Sequence, residues 1–238
     1  MAKNRRGLTS QPLGDPIIAY FRDAFLIGAG ATHLYLVRHA QSMSNTGEAN
    51  IYDDPPLTEV GIEQARRLAK RLSYQSITAI YSSPLKRALQ TAQIVAEALS
   101  LSVQVDEGLR EVIMGSPTTD VRSLIGPEAL EAARRIAKTL RWDAFPGSEG
   151  SRSARKRVRT AIDAIARRHP RGRIVLVTHA GVIQTYVSIV LGINKDFLFY
   201  PFNAGITSIR VKGRRRVLWR LNDVAHLDGL PSGFGGIS

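Results

Sequence analysis

An α/β fold, with a mostly parallel central sheet covered by helices on both faces in a three-layer α/β/α arrangement, is predicted by two features of the sequence. Two apolar runs, HLYLV at 33–37 and IVLVT at 174–178, each end at a polar segment bearing a histidine. Stretches with apolar residues at three- and four-residue spacing alternate with such runs. Near-continuous apolar strands suit a parallel sheet buried on each side.

The elements follow in chain order. Residues 1–32 form an N-terminal extension, and the helical spacing of Ile17, Ile18, Tyr20, Phe21, Phe25 and Leu26 predicts that it packs on its own domain. Residues 33–228 form one domain. After the first strand, Thr58 can cap a helix whose inward stripe is Ala65, Leu68, Ala69 and Leu72. ITAIY at 77–81 reads as a strand. Ser83 as N-cap and Pro84 at the first helical position open the next helix, which carries Leu85, Ala88, Leu89, Ala92, Val95 and Leu99 inward and Arg87 in its first turn. Further helices are predicted over 127–140, over 153–168 before Pro170, and over 182–191. ITSIRV at 206–211 and VLWRL at 217–221 form a late hairpin across a turn with Gly213 and arginines, and the Gly-rich tail 229–238 frays.

The composition bounds what the chain can do. Of 238 residues, 44% are apolar and 22% charged, as in a globular domain, and no stretch is long and apolar enough for a membrane helix. The apolar run from Ala24 to Ala31 superficially resembles a signal peptide, but Arg22 and Asp23 interrupt it, so a cytoplasmic location is expected. The absence of cysteine excludes thiol nucleophiles, zinc fingers and iron–sulfur sites. A formal charge of +13 favours anionic partners. Clusters such as Arg155, Lys156 and Arg157, or Arg214, Arg215 and Arg216, read as solvated faces and turns. No nucleic-acid motif or aromatic platform accompanies them, so nucleic acid is not the expected partner.

The residues that can carry chemistry sit where ligands bind in open α/β sheets, beyond the carboxyl ends of the strands. Arg38 and His39 directly follow the first run, and His179 follows the second. Two histidines can thus meet in one crevice. Arg38 there, and Arg87 at a helix start, supply planar forks suited to phosphate oxygens. Each residue alone has a plainer reading: a lone histidine after a strand is more often structural, and Arg87 alone is more simply a surface arginine.

With these residues in place, the chain resembles the histidine phosphatase superfamily, the phosphoglycerate mutase-like family, from about residue 33 to residue 228. The motifs are RHAQSMSN (38–45), SSPLKRALQTA (82–92), LRE (109–111), THAGVI (178–183) and the weaker LNDVAHL (221–227). The resemblance implies the phosphoglycerate mutase-like fold and a metal-independent phosphatase without a cofactor, acting on a phosphorylated small molecule. It implies that His39 accepts the phosphoryl group, that Arg38, Asn45, Arg87 and His179 surround the phosphate, that Ser42 orients the pocket, and that Glu111 is the proton donor.

Phosphoryl transfer asks for in-line alignment and for positive charge around the equatorial oxygens, which the arginines and a protonated His179 are expected to provide. The same cations keep His39 neutral, as a nucleophile must be. Ala40 stands where the family usually has Gly, and Gln41 where many members have Glu. VIMGSPTTD, after Glu111, lacks the family's usual glycine and aromatic pattern, and SEGS at 148–151 matches its Gly, Glu, Ser element only loosely, so no role is assigned to Glu149. Mutases of the family commonly place extra basic and aromatic residues around the acid's segment, and VIMGSPTTD has none, so hydrolysis is preferred. A phosphoglycerate mutase-type transferase, a non-catalytic phospho-ligand binding protein and a nucleic-acid-associated protein remain as rival readings. The natural substrate and the oligomeric state are not legible.

Overall fold

The computed structural model describes residues 16–28, 30–115 and 126–230. Its strands are β1 (Thr32–Arg38), β2 (Ala79–Ser82), β3 (Val103–Val105), β4 (Arg173–Thr178), β5 (Ile206–Lys212) and β6 (Arg215–Asp223). They form one sheet in the order β3-β2-β4-β1-β5-β6. β1 to β4 are parallel, with Leu36 beside Leu176 and Arg38 beside Thr178, and β5 and β6 extend the sheet antiparallel.

The helices are α1 (Pro16–Ala24), α2 (Met43–Thr46), α3 (Glu59–Ser73), α4 (Lys86–Leu99), α5 (Gly126–Thr139), α6 (Gly150–Arg168) and α7 (Ala180–Leu191). Successive residues of β1 point to opposite faces and so enter two cores. Tyr35 and Val37 join Leu68 and Leu72 of α3 and Ala92 and Val95 of α4. Leu34 and Leu36 join Val158, Ile162 and Ile165 of α6 and Val182, Ile183 and Tyr186 of α7. Each fully buried aliphatic side chain contributes about 1.5–3 kcal/mol. The three-layer arrangement expected from the sequence is the one observed. Among the described residues no helix is long and apolar enough to cross a membrane.

Local contacts fix how the first layer meets the sheet. Thr58 caps α3 by accepting from Gly61 N at 3.0 Å, and its hydroxyl donates to Gln41 Oε1 at 2.8 Å. A Cβ on Gly61 would lie 1.9 Å from the Gln41 carbonyl oxygen, so only glycine lets α3 approach the loop after β1 this closely.

Several expectations are corrected. Ser83 does not cap α4: the helix begins at Lys86 after Leu85, and the Asp54 carboxylate accepts from Lys86 N at 2.9 and 3.0 Å. A carboxylate from a distant loop thus does the capping that sequence spacing assigned to a neighbouring hydroxyl. The apolar face of α1 is not packed on the domain. Ile17, Ile18, Tyr20, Phe21 and Phe25 are exposed and only Leu26 is buried. The segment is held by polar links instead, with Arg215 pairing with Asp23 and donating to the Asp23 and Ala24 carbonyls. β3 was not anticipated, because three residues, Val103, Gln104 and Val105, are too short a run to read as a strand. Of the expected fraying tail, residues 231–238 lie outside the described residues.

Candidate active site

β1 and β4 are neighbours, so the residues that follow them are brought together. His39 and His179 have ring centroids 5.2 Å apart at an interplanar angle of 58°. The His39 amide donates to Thr178 O at 2.9 Å, which pins the end of β1 to the end of β4. His179 is fully buried as the N-cap residue of α7, with Nε2 2.8 Å from Ser83 Oγ.

The tautomer of His39 follows from its partners. Nδ1 lies 2.8 Å from the Ala40 carbonyl oxygen, an acceptor only, so Nδ1 carries the proton. Nε2 then holds the lone pair, and Arg87 Nε donates to it at 3.2 Å. Burial, reinforced by the Arg87 and Arg38 guanidinium groups, holds His39 well below the ordinary histidine range. Burial does the same for His179, with His39, Arg87 and Arg38 adding to it. The sequence expects a protonated His179 beside the phosphate, whereas burial and the surrounding His39, Arg87 and Arg38 push the pKa of this imidazole down.

Both arginines are buried in this crevice. Arg38 Nη1 donates to Tyr200 Oη at 2.9 Å and to Pro201 O at 2.7 Å, while its Nε has no hydrogen-bond partner among the described residues. Arg87, in the first turn of α4, has Nη1 3.6 Å from Asp54 Oδ1. One carboxylate therefore both caps α4 and faces the guanidinium that α4 carries.

Glu111 reaches the same end of the sheet from the loop after β3. Its Oε1 accepts from Val112 N at 2.8 Å and from Gly181 N at 3.1 Å, at the anion-favouring N-terminus of α7. Burial raises its pKa, outweighing those two amides and the nearby Arg87 and Arg38. A Cβ on Gly181 would fall 2.6 Å from Glu111 Oε1 and 3.1 Å from the Trp142 ring, so the carboxylate has this place only because residue 181 has no side chain. Glu149, which the sequence left unassigned, accepts from Ile113 N at 3.1 Å and pairs with Arg157 at 2.5 Å, tying down the segment that follows Glu111.

Ser42 is fully buried, and its hydroxyl donates to Asn45 Oδ1 at 3.1 Å. Asn45 Oδ1 also accepts from Ser42 N at 3.0 Å and from Asn203 Nδ2 at 3.1 Å. Asn203 Nδ2 in turn donates to His39 O at 3.0 Å. Asn203, Tyr200 and Asp54 are contacts that sequence reasoning missed. They arrive on loops outside the strand-end segments that carry the histidines.

A cavity of about 500 Å³ opens onto Arg87 and Glu111. Its sides are largely apolar, formed by Ile51, Tyr52, Leu85, Ile113, Met114 and Phe145, with Arg110 the further cation.

The sequence profile of the histidine phosphatase superfamily (branch 1) matches residues 34–224. The chain is 33% identical over 197 residues to "Phosphoserine phosphatase 1" of Hydrogenobacter thermophilus, covering 82% of this chain and 93% of that protein. It is 32% identical over 161 residues to "Probable phosphoglycerate mutase GpmB" of Yersinia pestis, covering 67% and 75%. The solved structure of Bacillus stearothermophilus YhfR superposes with a TM-score of 0.71 at 29% identity, covering 82% of this chain and 99% of that one. With the two histidines, two arginines and a buried glutamate gathered at one end of the sheet, and the profile matched along most of the chain, the protein belongs to the histidine phosphatase superfamily, branch 1, and is an enzyme of the histidine phosphatase type.

Proposed function

We propose that the protein is a metal-independent phosphomonoester hydrolase that works through a phosphohistidine on His39, with a phosphorylated small molecule of the cytoplasm as substrate. The observation that carries this reading is the fixed tautomer of His39. Ala40 O holds Nδ1, so Nε2 presents its lone pair among Arg87, Arg38 and His179. An incoming phosphate takes over the Arg87 donor that now rests on Nε2.

In the first step Nε2 attacks phosphorus in line and the P–O bond to the alcohol breaks. The imidazole becomes cationic, and the bond from Nδ1–H to Ala40 O strengthens with it. Glu111, whose pKa burial raises, gives its proton to the leaving oxygen. In the second step the ionised Glu111 takes a proton from water, the water oxygen bonds to phosphorus, and the P–Nε2 bond breaks. Arg38 and Arg87 carry the charge on the equatorial oxygens, and the phosphate dianion draws a proton onto His179. Asn45 and Ser42 hold the loop that faces the phosphate, through Asn203.

Phosphate release from a panel of phosphomonoesters in the presence of a chelator tests the reading. Chelator-resistant turnover that disappears in His39→Ala is expected, and turnover that survives the substitution rejects it. The likeness to the mutase named above favours a phosphoglycerate mutase-type transferase as the second reading. Against it, Arg110 is the cation lining the cavity beyond Arg87 among the described residues, where a second phosphate would ask for more. Interconversion of phosphoglycerates without net phosphate release would reverse the order.

A further inference from the structure

Toward the end of β1 opposite His39, a second cavity of about 240 Å³ has four arginines in its lining. His33 begins this end and His39 follows the other, so the two are about 20 Å apart along an extended strand. The cavity exists because the sheet runs past the cover of α3. His33 and Tyr35 of β1 lie opposite Arg210 and Ser208 of β5, with the last turn of α3 on one side and Trp219 of β6 on the other.

The charges here do not balance. Arg71, Arg173, Arg210 and Arg220 share the lining with one acid, Asp223. Asp223 is already divided between Arg71 and Arg220, each at 3.2 Å. Arg173 Nη1 donates only to neutral oxygens, Gln75 O at 3.0 Å and Tyr35 Oη at 3.5 Å. Arg210 Nη1 donates to Leu26 O at 3.3 Å, and its guanidinium lies 3.5 Å over the Trp219 ring. Arg210 Nε and the nine-tenths-buried Ser208 hydroxyl have no hydrogen-bond partner among the described residues. The imidazole of His33 registers the same field: burial first, then Arg173 and Arg210, push its pKa down. Cations this close repel one another, and an arrangement that serves only to tie α3 to the sheet does not need Arg173 and Arg210 without a counter-charge.

We propose that this cavity is a second binding site, for a compact oxyanion bearing two or more negative charges, held between Arg173 and Arg210. The guanidinium forks suit phosphate and carboxylate alike. Inorganic phosphate and citrate therefore serve as the two probes, and their relative affinities show which chemistry the site prefers.

The full chain carrying Arg87→Ala, which weakens phosphate binding at the histidines, is titrated with each anion at low ionic strength by calorimetry and by tryptophan fluorescence. Trp219 is half-exposed in the lining, whereas Trp142, the other tryptophan, is buried. One site per chain with a change in emission is expected. Adding Arg173→Gln or Arg210→Gln should weaken it by about 10-fold or more, as loss of a charge-assisted contact does. Ser208→Glu places an acid among the arginines, relieves their repulsion, and should abolish binding in a folded protein. In an otherwise unaltered chain, Arg173→Gln should leave phosphatase turnover unchanged. Absence of binding by both anions, or binding indifferent to Arg173→Gln and Ser208→Glu, overturns the proposal.

Discussion

Arg87 Nε donates to His39 Nε2 across 3.2 Å, so the guanidinium occupies the lone pair that the ring would offer to phosphorus. The contact keeps the imidazole neutral and oriented until an anion arrives, and the same donor is then released to an equatorial oxygen. Burial first, then the charges of Arg87 and Arg38, displaces the His39 pKa downward.

Replacing Arg87 by alanine removes both effects. The expected loss in phosphate-release rate is roughly 10² to 10³, by comparison with loss of one transition-state donor elsewhere. Arg87→Lys should recover little of it, because an ammonium lacks the planar fork. Steady-state hydrolysis of a single phosphomonoester decides, and a near-normal rate in Arg87→Ala would remove Arg87 from the phosphate site.

Glu111→Gln should separate substrates by leaving group. A leaving alkoxide needs the proton and should lose about 10²-fold or more in kcat, whereas an aryl phosphate whose phenolate is stable as an anion should lose far less in the first step. Parallel kcat measurements on one alkyl and one aryl ester test this. Equal losses on both would assign Glu111 to holding the fold and not to proton transfer.

The buried histidines couple folding to pH. In His39 and His179 the folded pKa lies below the unfolded value near 6.5, so the unfolded chain binds more protons as pH falls past that value. Stability is therefore expected to be full above about pH 6.5 and to decline on acidification below it. Glu111 acts with the opposite sign, its raised pKa giving stability at low pH that is lost as pH rises through the folded value. Thermal midpoints between pH 7 and pH 5 should fall in the unaltered chain and fall less in His179→Asn. A phosphate dianion in the pocket should flatten the decline.

Gly181→Ala tests the seat of the glutamate. The added methyl would meet Glu111 Oε1 and the Trp142 ring, so the carboxylate must move or the start of α7 must shift. Overpacking of this kind costs about 1–3 kcal/mol. A lowered thermal midpoint together with a reduced kcat is expected, and unchanged kcat would show that the carboxylate tolerates displacement.

Much of this site was legible because its parts sit at strand ends and helix starts, where local sequence is informative. HLYLV and IVLVT predicted β1 and β4 within a residue at each end, and their adjacency is what brings His39 to His179. Arg87 fell in the first turn of α4 as read, although its helix is capped from afar by Asp54. What spacing could not give were the long-range partners. Asn203 and Tyr200 reach the site only because β5 pairs with β1, which returns the loop before β5 to the end of β1. The packing of α1 was misread for a related reason. Helical spacing reports that an apolar face exists and carries no information about what, if anything, lies against it.

The sheet's two outer strands answer the danger of free backbone edges in different ways. β3 has three residues and offers little to pair with. β6 has nine, and it carries Arg215, Arg216 and Arg220 along with the half-exposed Trp219 and Leu221. Each of these arginines is held by an acid, Arg215 by Asp23, Arg216 by Asp163 and Arg220 by Asp223, so a neighbouring copy that continued the sheet along β6 would have to fit against long side chains already fixed in ion pairs.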